Sequence, residues 1–160
     1  MATTFERFER IARRTNEFDT RDVQDHATLH PFDRRNIHPK LPERVRKLFD
    51  DGHCAEATFA ALKFVDKVVQ TQSNVKDTGL KLMMHVFDEQ KPILRLNKLS
   101  SLSEVDEQKG FRFLFSGAIM AIRNPRGHEV NLTDDPDTCL DHLAFVSLLL
   151  RRLEESGFHC

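Results

Sequence analysis

The sequence has no tryptophan or tyrosine, only three cysteines, and no excess charge of either sign. Cys54, Cys139 and Cys160 are odd in number, widely spaced and without a Cys-x-x-Cys pair, so they indicate neither a disulfide framework nor a zinc site. They suit a reducing compartment. Among 160 residues, 24 Lys and Arg nearly balance 25 Asp and Glu. No global field therefore attracts nucleic acid, and any RNA affinity must come from a local patch.

Long apolar runs and nucleotide-binding motifs are also missing. The longest nearly apolar run, 113 to 122, is too short to span a membrane, and the first residues lack the apolar core of a signal peptide. We therefore expect a soluble, cytoplasmic protein with no membrane partner. No glycine-rich phosphate loop, nucleophile elbow or paired-carboxylate pattern occurs, so nucleotide hydrolysis and acyl transfer have no support and no cofactor is predicted.

Helical periodicity dominates what is present. Apolar residues recur at the spacing of one helix face in several segments, and helix-start or helix-stop residues flank them. The main predicted helices begin at Pro42, run from His53 to about Gln72, surround Met83, and follow the caps Ser101 and Asp135. This pattern predicts an all-α fold, a bundle of four to five main helices over residues 41–160.

The first forty residues form a separate region in this interpretation. Thr3 and Glu6 make a capping box for a short amphipathic helix over residues 4–14, and an irregular connector follows. His26 and His30, with Asp25 beside them, have the spacing of two metal ligands on one helical turn. They have no clear third ligand, so no metal site is predicted. The domains expected are an N-terminal arm, 1–40, and a bundle, 41–160.

A polar segment, Arg123-Asn124-Pro125-Arg126-Gly127-His128, follows the most apolar part of the chain. Pro125 should end or kink the preceding helix beside Arg123 and present a surface loop in which Arg123 and His128 converge. An imidazole can move a proton near neutral pH, and a guanidinium can stabilise charge on phosphorus, so the pair suits RNA cleavage by the 2′-hydroxyl. Spacing alone favours the structural alternative, a helix-terminating loop whose cation offsets the helix dipole.

The segment resembles the catalytic motif of the HEPN superfamily, in which Arg, a polar residue and a few further positions precede His. Residues 41–67, 79–87 and 110–118 are similar to the Ymh family, a group placed within that superfamily. The resemblance implies a helical bundle, catalysis by Arg123 and His128, and Asn124 as an orienting residue. It also implies a homodimer in which the two motifs face each other.

The resemblance further implies a metal-independent endoribonuclease acting in a toxin-antitoxin or phage-defence system, with RNA as substrate and an antitoxin or larger defence complex as partner. Arg126 is a candidate RNA-phosphate contact, and His142 could reach the motif if the last helix packs against it. Two other functions stay open. One is a non-catalytic HEPN-type module that binds nucleic acid or protein, and the other is a regulatory subunit that docks through its N-terminal arm.

Overall fold

The computed structural model describes residues 29–129 and 131–160. The chain divides into two compact units, Met1–Arg35 and Asn36–Cys160. In the first unit, the described residues form one helical turn, α1 (Pro31–Arg34). His30 caps its start, because its Nδ1 accepts a hydrogen bond from the backbone N–H of Phe32 at 3.1 Å. The predicted helix over 4–14 lies outside the described residues, and so do Asp25 and His26.

The second unit is helical, which confirms the predicted all-α class. Its α-helices are α2 (Glu43–Asp50), α3 (Cys54–Ser73), α4 (Gly79–Val86), α5 (Leu102–Gly117), α6 (Asn124–His128) and α7 (Pro136–Glu155). A π-helical turn, Ala118–Arg123, joins α5 directly to α6. Residues 29–129 and 131–160 contain no strand. None of the helices formed by these residues combines the length and apolar character needed to cross a membrane.

Local capping explains where the main helices begin and end. The side chain of Asp135 accepts from the backbone N–H of Thr138 at 3.0 Å at the start of α7, and Ser101 accepts from the N–H of Glu104 at 3.2 Å at the start of α5. Both caps satisfy donors that a first helical turn leaves unpaired. Gly52 follows α2 with a φ of 81°, a left-handed conformation that favours glycine. These boundaries agree with the sequence prediction.

The core lies around α3, which packs against α2, α7 and the π-helical turn. Leu62 and Val69 of α3 and Leu143 and Leu150 of α7 are fully buried. Each such side chain contributes about 1.5–3 kcal/mol relative to an exposed one. Because α3 also contacts α6, the polar segment after the π-helical turn rests on the centre of the bundle.

Candidate functional site

The helix was predicted to end or kink beside Arg123 and to present residues 123–128 as a surface loop; these residues are helical, so the predicted loop is wrong. Arg123 closes the π-helical turn, and Asn124 has right-handed helical angles, φ −64° and ψ −45°. Residues 124–128 then form α6, with Pro125 in its first turn. The path from Leu102 to His128 is one uninterrupted helical rod.

The wider π-helical turn explains how the rod continues past a proline. The backbone N–H of Asn124 donates to the carbonyl of Ile119, five residues earlier, instead of the usual four. This shift places Pro125 where a new α-helical segment starts, a position that needs no backbone donor. Nη1 of Arg126 donates to the carbonyl of Ile122 at 2.8 Å, so this side chain also ties α6 to the π-helical turn.

Arg123 is held on two sides. Its guanidinium carbon lies 5.4 Å from the centroid of the Phe59 ring in α3, and its Nη1 donates to Oδ1 of Asn124 at 3.2 Å. Its Nε is buried and has no hydrogen-bond partner among the residues described. An unpaired buried donor costs free energy.

His128 is the last residue of α6 and is exposed. It lies five positions after Arg123, which places the two about 140° apart around the helix and about 7.5 Å apart along it. In the part of the chain that the structure describes, no hydrogen bond or ion pair joins them. The predicted convergence of Arg123 and His128 within one chain is therefore not found, whereas Asn124 and His128, four residues apart, share a helix face.

Arg126 has an internal partner. Its Nε and Nη2 each donate to a different carboxylate oxygen of Asp134 at 2.6 Å, and the two side chains are only 8% and 7% exposed. With its third contact to Ile122, the guanidinium fixes α6 to the segment before α7. This geometry gives Arg126 a structural role and leaves it little surface for the RNA phosphate expected from the sequence.

His142 of α7 also reaches this cluster. Its Nδ1 lies 4.0 Å from the carboxylate of Asp134, and this atom is buried without a hydrogen-bond partner among the described residues. Burial, together with the positive charge of Arg126, lowers the pKa of His142 below its ordinary value. The imidazole is therefore held in its neutral form close to the inner side of the motif.

Phe59 and Asp134 are the site residues that the sequence did not reveal. A Cβ atom added at Gly127 would lie 2.8 Å from Cε2 of Phe59, so α6 approaches this ring so closely that only glycine fits without movement. Arg123 and Gly127, four residues apart, thus both face Phe59. Phe59 followed the apolar periodicity of its helix, and no sequence signal distinguished it from the other core positions.

An exposed apolar face runs along α5 and the π-helical turn towards the motif. Phe113, Leu114 and Met120 are 54%, 42% and 54% exposed, and the exposed Gly117 lies between them. Contiguous exposed apolar residues of this kind mark interaction surfaces. Asn124 and His128 continue the same face at helical spacing. The face therefore leads directly to the end of the candidate site.

The family model described as "Protein of unknown function (Hypoth_ymh)" matches residues 35–153, which include the whole of the candidate site. No curated protein and no solved structure matches the chain.

Proposed function

The chain belongs to the Hypoth_ymh family, which is described as a family of unknown function. From the geometry of the candidate site, we propose that the protein is a metal-independent endoribonuclease. The observation that carries the proposal is the placement of Arg123 and His128 on two faces of one continuous helical segment. The guanidinium of Arg123 is positioned by Phe59 and Asn124, while the imidazole of His128 is exposed.

In the proposed reaction, the RNA 2′-oxygen attacks the adjacent phosphorus, and the bond from phosphorus to the 5′-oxygen breaks. His128 takes part in proton transfer, and Arg123 stabilises the negative charge that develops on the phosphoryl oxygens. Asn124 keeps the guanidinium in place through its 3.2 Å hydrogen bond. The products are a 2′,3′-cyclic phosphate and a free 5′-hydroxyl, so the chemistry requires no metal ligand set and no cofactor.

The proposed active unit is a homodimer. One group must accept the 2′-proton and another must protonate the leaving oxygen, whereas each chain contributes a single exposed His to the motif. A two-fold axis supplies a second copy. The apolar face formed by Phe113, Leu114 and Met120 supports this arrangement, because burying it between two copies related by a two-fold axis near His128 would also bring the two His128 residues towards each other.

The biological role belongs to the same proposal. The resemblance of the Arg-x4-His motif to HEPN proteins supports a cytoplasmic toxin or phage-defence effector that acts on RNA and is controlled by an antitoxin or a larger defence complex. The three cysteines are free thiols.

A non-catalytic HEPN-type module that binds nucleic acid or protein is the second candidate. One observation favours it: Arg126 and Gly127, two of the six residues in the motif, are engaged in internal contacts with Asp134 and Phe59. In that case, the segment would serve as a structural joint between α5, α3 and α7.

The test is incubation of the purified chain with single-stranded RNA in the presence of EDTA, followed by analysis of the product ends. We expect cleavage that leaves 2′,3′-cyclic phosphates and is lost in His128→Ala and in Arg123→Gln. His85→Ala is a matched control, because His85 is also exposed but lies on α4 and contacts Asp77. Loss of cleavage in EDTA with rescue by magnesium would contradict the mechanism, and activity in His128→Ala would contradict the assignment of the site.

A tandem fusion tests whether the two motifs form one site. One subunit is wild type, and the other carries Arg123→Gln and His128→Ala. Independent sites would leave about half of the activity of the wild-type fusion, since uncoupled sites are additive. A shared site should lose far more, so half-activity would refute the shared site.

A further inference from the structure

A groove of about 400 Å³ lies between α2 and α3, apart from the residues proposed for catalysis. Its floor is apolar and half buried, and consists of Leu48, Phe59, Ala60 and Phe64. Pockets that hold small molecules measure about 300–1,000 Å³. The groove therefore has room for one nucleotide, but a nucleic-acid duplex could not enter it.

The rim of the groove is positively charged. It is lined by three exposed cationic side chains, Arg44, Lys63 and Lys67, and by one carboxylate, that of Glu56. Lys67 also donates to Oε1 of Gln70 at 2.9 Å, which keeps its ammonium group close to α3. The chain as a whole has a net charge of −1, so any affinity for RNA must come from a local cluster of positive charge. This rim is such a cluster.

The floor of the groove and the candidate catalytic segment share one side chain. The Phe59 ring that lines the groove is the same ring that contacts the guanidinium of Arg123 and lies against Gly127. A planar group in the groove would therefore lie against the same aromatic ring that Arg123 contacts. A chain of phosphates leaving the groove on this side would pass next to the proposed catalytic Arg.

We propose that this groove binds one unpaired nucleotide of the RNA substrate. The base lies on the apolar floor beside Phe64, and the flanking phosphates bind Lys63, Lys67 and Arg44. This inference rests on the proposed function and specifies its substrate as single-stranded or looped RNA. The faces of bases in an A-form duplex are stacked and inaccessible, whereas unpaired bases stack readily on aromatic side chains. The bound nucleotide would determine which phosphodiester is placed at Arg123.

The experiment measures binding of the full chain to a fluorescent single-stranded oligonucleotide with 2′-O-methyl riboses, which cannot be cleaved through the 2′-oxygen. Phe64→Ala should raise Kd by about tenfold, the effect typical of losing one stacked base. Lys63→Gln should weaken binding and reduce the slope of log K against log salt concentration by about 0.7, as expected for one phosphate contact to a single strand.

Two further variants separate groove binding from general effects. Ala60→Phe adds atoms to the groove and removes none, so it should weaken binding as Phe64→Ala does without leaving a cavity. Lys81→Gln removes an exposed cation on α4, outside the groove, and should leave Kd unchanged. Thermal unfolding of each variant shows whether the fold is retained. The same oligonucleotide annealed to its complement should bind without dependence on Phe64.

The outcomes distinguish this proposal from the proposed function. If Phe64→Ala and Ala60→Phe fold normally and bind like the wild type, the groove proposal is overturned, even if the wild-type protein cleaves RNA. An equal effect of both variants on the duplex would overturn the requirement for an unpaired base. Groove-dependent binding by a wild-type chain that fails to cleave unmodified RNA would support the groove and contradict the nuclease.

Discussion

Replacing Asp134 with Asn tests how strongly the motif helix depends on its buried ion pair. Both oxygens of Asp134 accept from Arg126 at 2.6 Å, and both side chains are more than nine-tenths buried. The amide of Asn keeps one acceptor but turns a donor towards a guanidinium that remains charged. Removing one partner of a buried pair costs about 3–5 kcal/mol. We expect a loss near the lower end of this range, because the carbonyl of Ile122 still accepts from Arg126.

Urea unfolding followed by far-ultraviolet circular dichroism measures this loss. A decrease of about 3 kcal/mol corresponds to a fall in Tm of about 10 °C for a domain of this size. Lys81→Gln breaks an ion pair in which Lys81 is 80% exposed, and it should change stability little. Replacing Arg126 and Asp134 together with Met and Leu should recover much of the loss, because no unpaired charge then remains. A loss below about 1 kcal/mol in Asp134→Asn would refute the reasoning.

Three further predictions concern neighbouring positions. Gly127→Ala should destabilise the fold by about 1–3 kcal/mol in urea unfolding, because its Cβ meets the ring of Phe59, whereas Gly110→Ala, which has open space, should stabilise α5 by about 0.5–1 kcal/mol. The lowered pKa of His142 means that the unfolded chain binds the proton more readily. Wild-type stability should therefore fall as the pH drops below about 6.5, and His142→Gln should reduce this fall in unfolding measured across that range. If the proposed dimer forms, Met120→Glu should shift its sedimentation towards the monomer, because it places a charge on the exposed apolar face; an unchanged dimer would contradict the proposed interface.

The elements that could be predicted from the sequence are those set by local chemistry. Ser101 and Asp135 are followed by helices whose apolar faces recur at helical spacing, and the structure begins α5 and α7 at these caps. Gly52, with its positive φ, follows the end of α2, as its position in the sequence predicted. Each of these signals lies within a few residues of the boundary that it determines, so distant parts of the chain are not needed to interpret it.

The contacts that define the site depend on residues far apart in the chain. Pro125 locally favours a break in the helix, but the wider π-helical turn places it in the first turn of a new α-helical segment, where no backbone donor is needed. Phe59 lies 64 residues before Arg123 and meets it only because α3 packs against the motif. Neither the π-helical turn nor this contact has a sequence pattern of its own. The loop was predicted from the local effect of Pro125, whereas the conformation of the segment is determined by tertiary packing.

The continuity of the helix changes the argument for a dimer. In a loop, Arg123 and His128 of one chain could have bent towards a single phosphate. On a helix, Arg123 faces Phe59 while His128 lies about 140° away around the axis. His128 instead continues the exposed row that contains Phe113 and Met120. In the proposed dimer, a second copy would therefore supply the second imidazole, since the surface available for association and His128 lie on the same side of the helix, whereas the guanidinium of Arg123 lies on the side that faces Phe59.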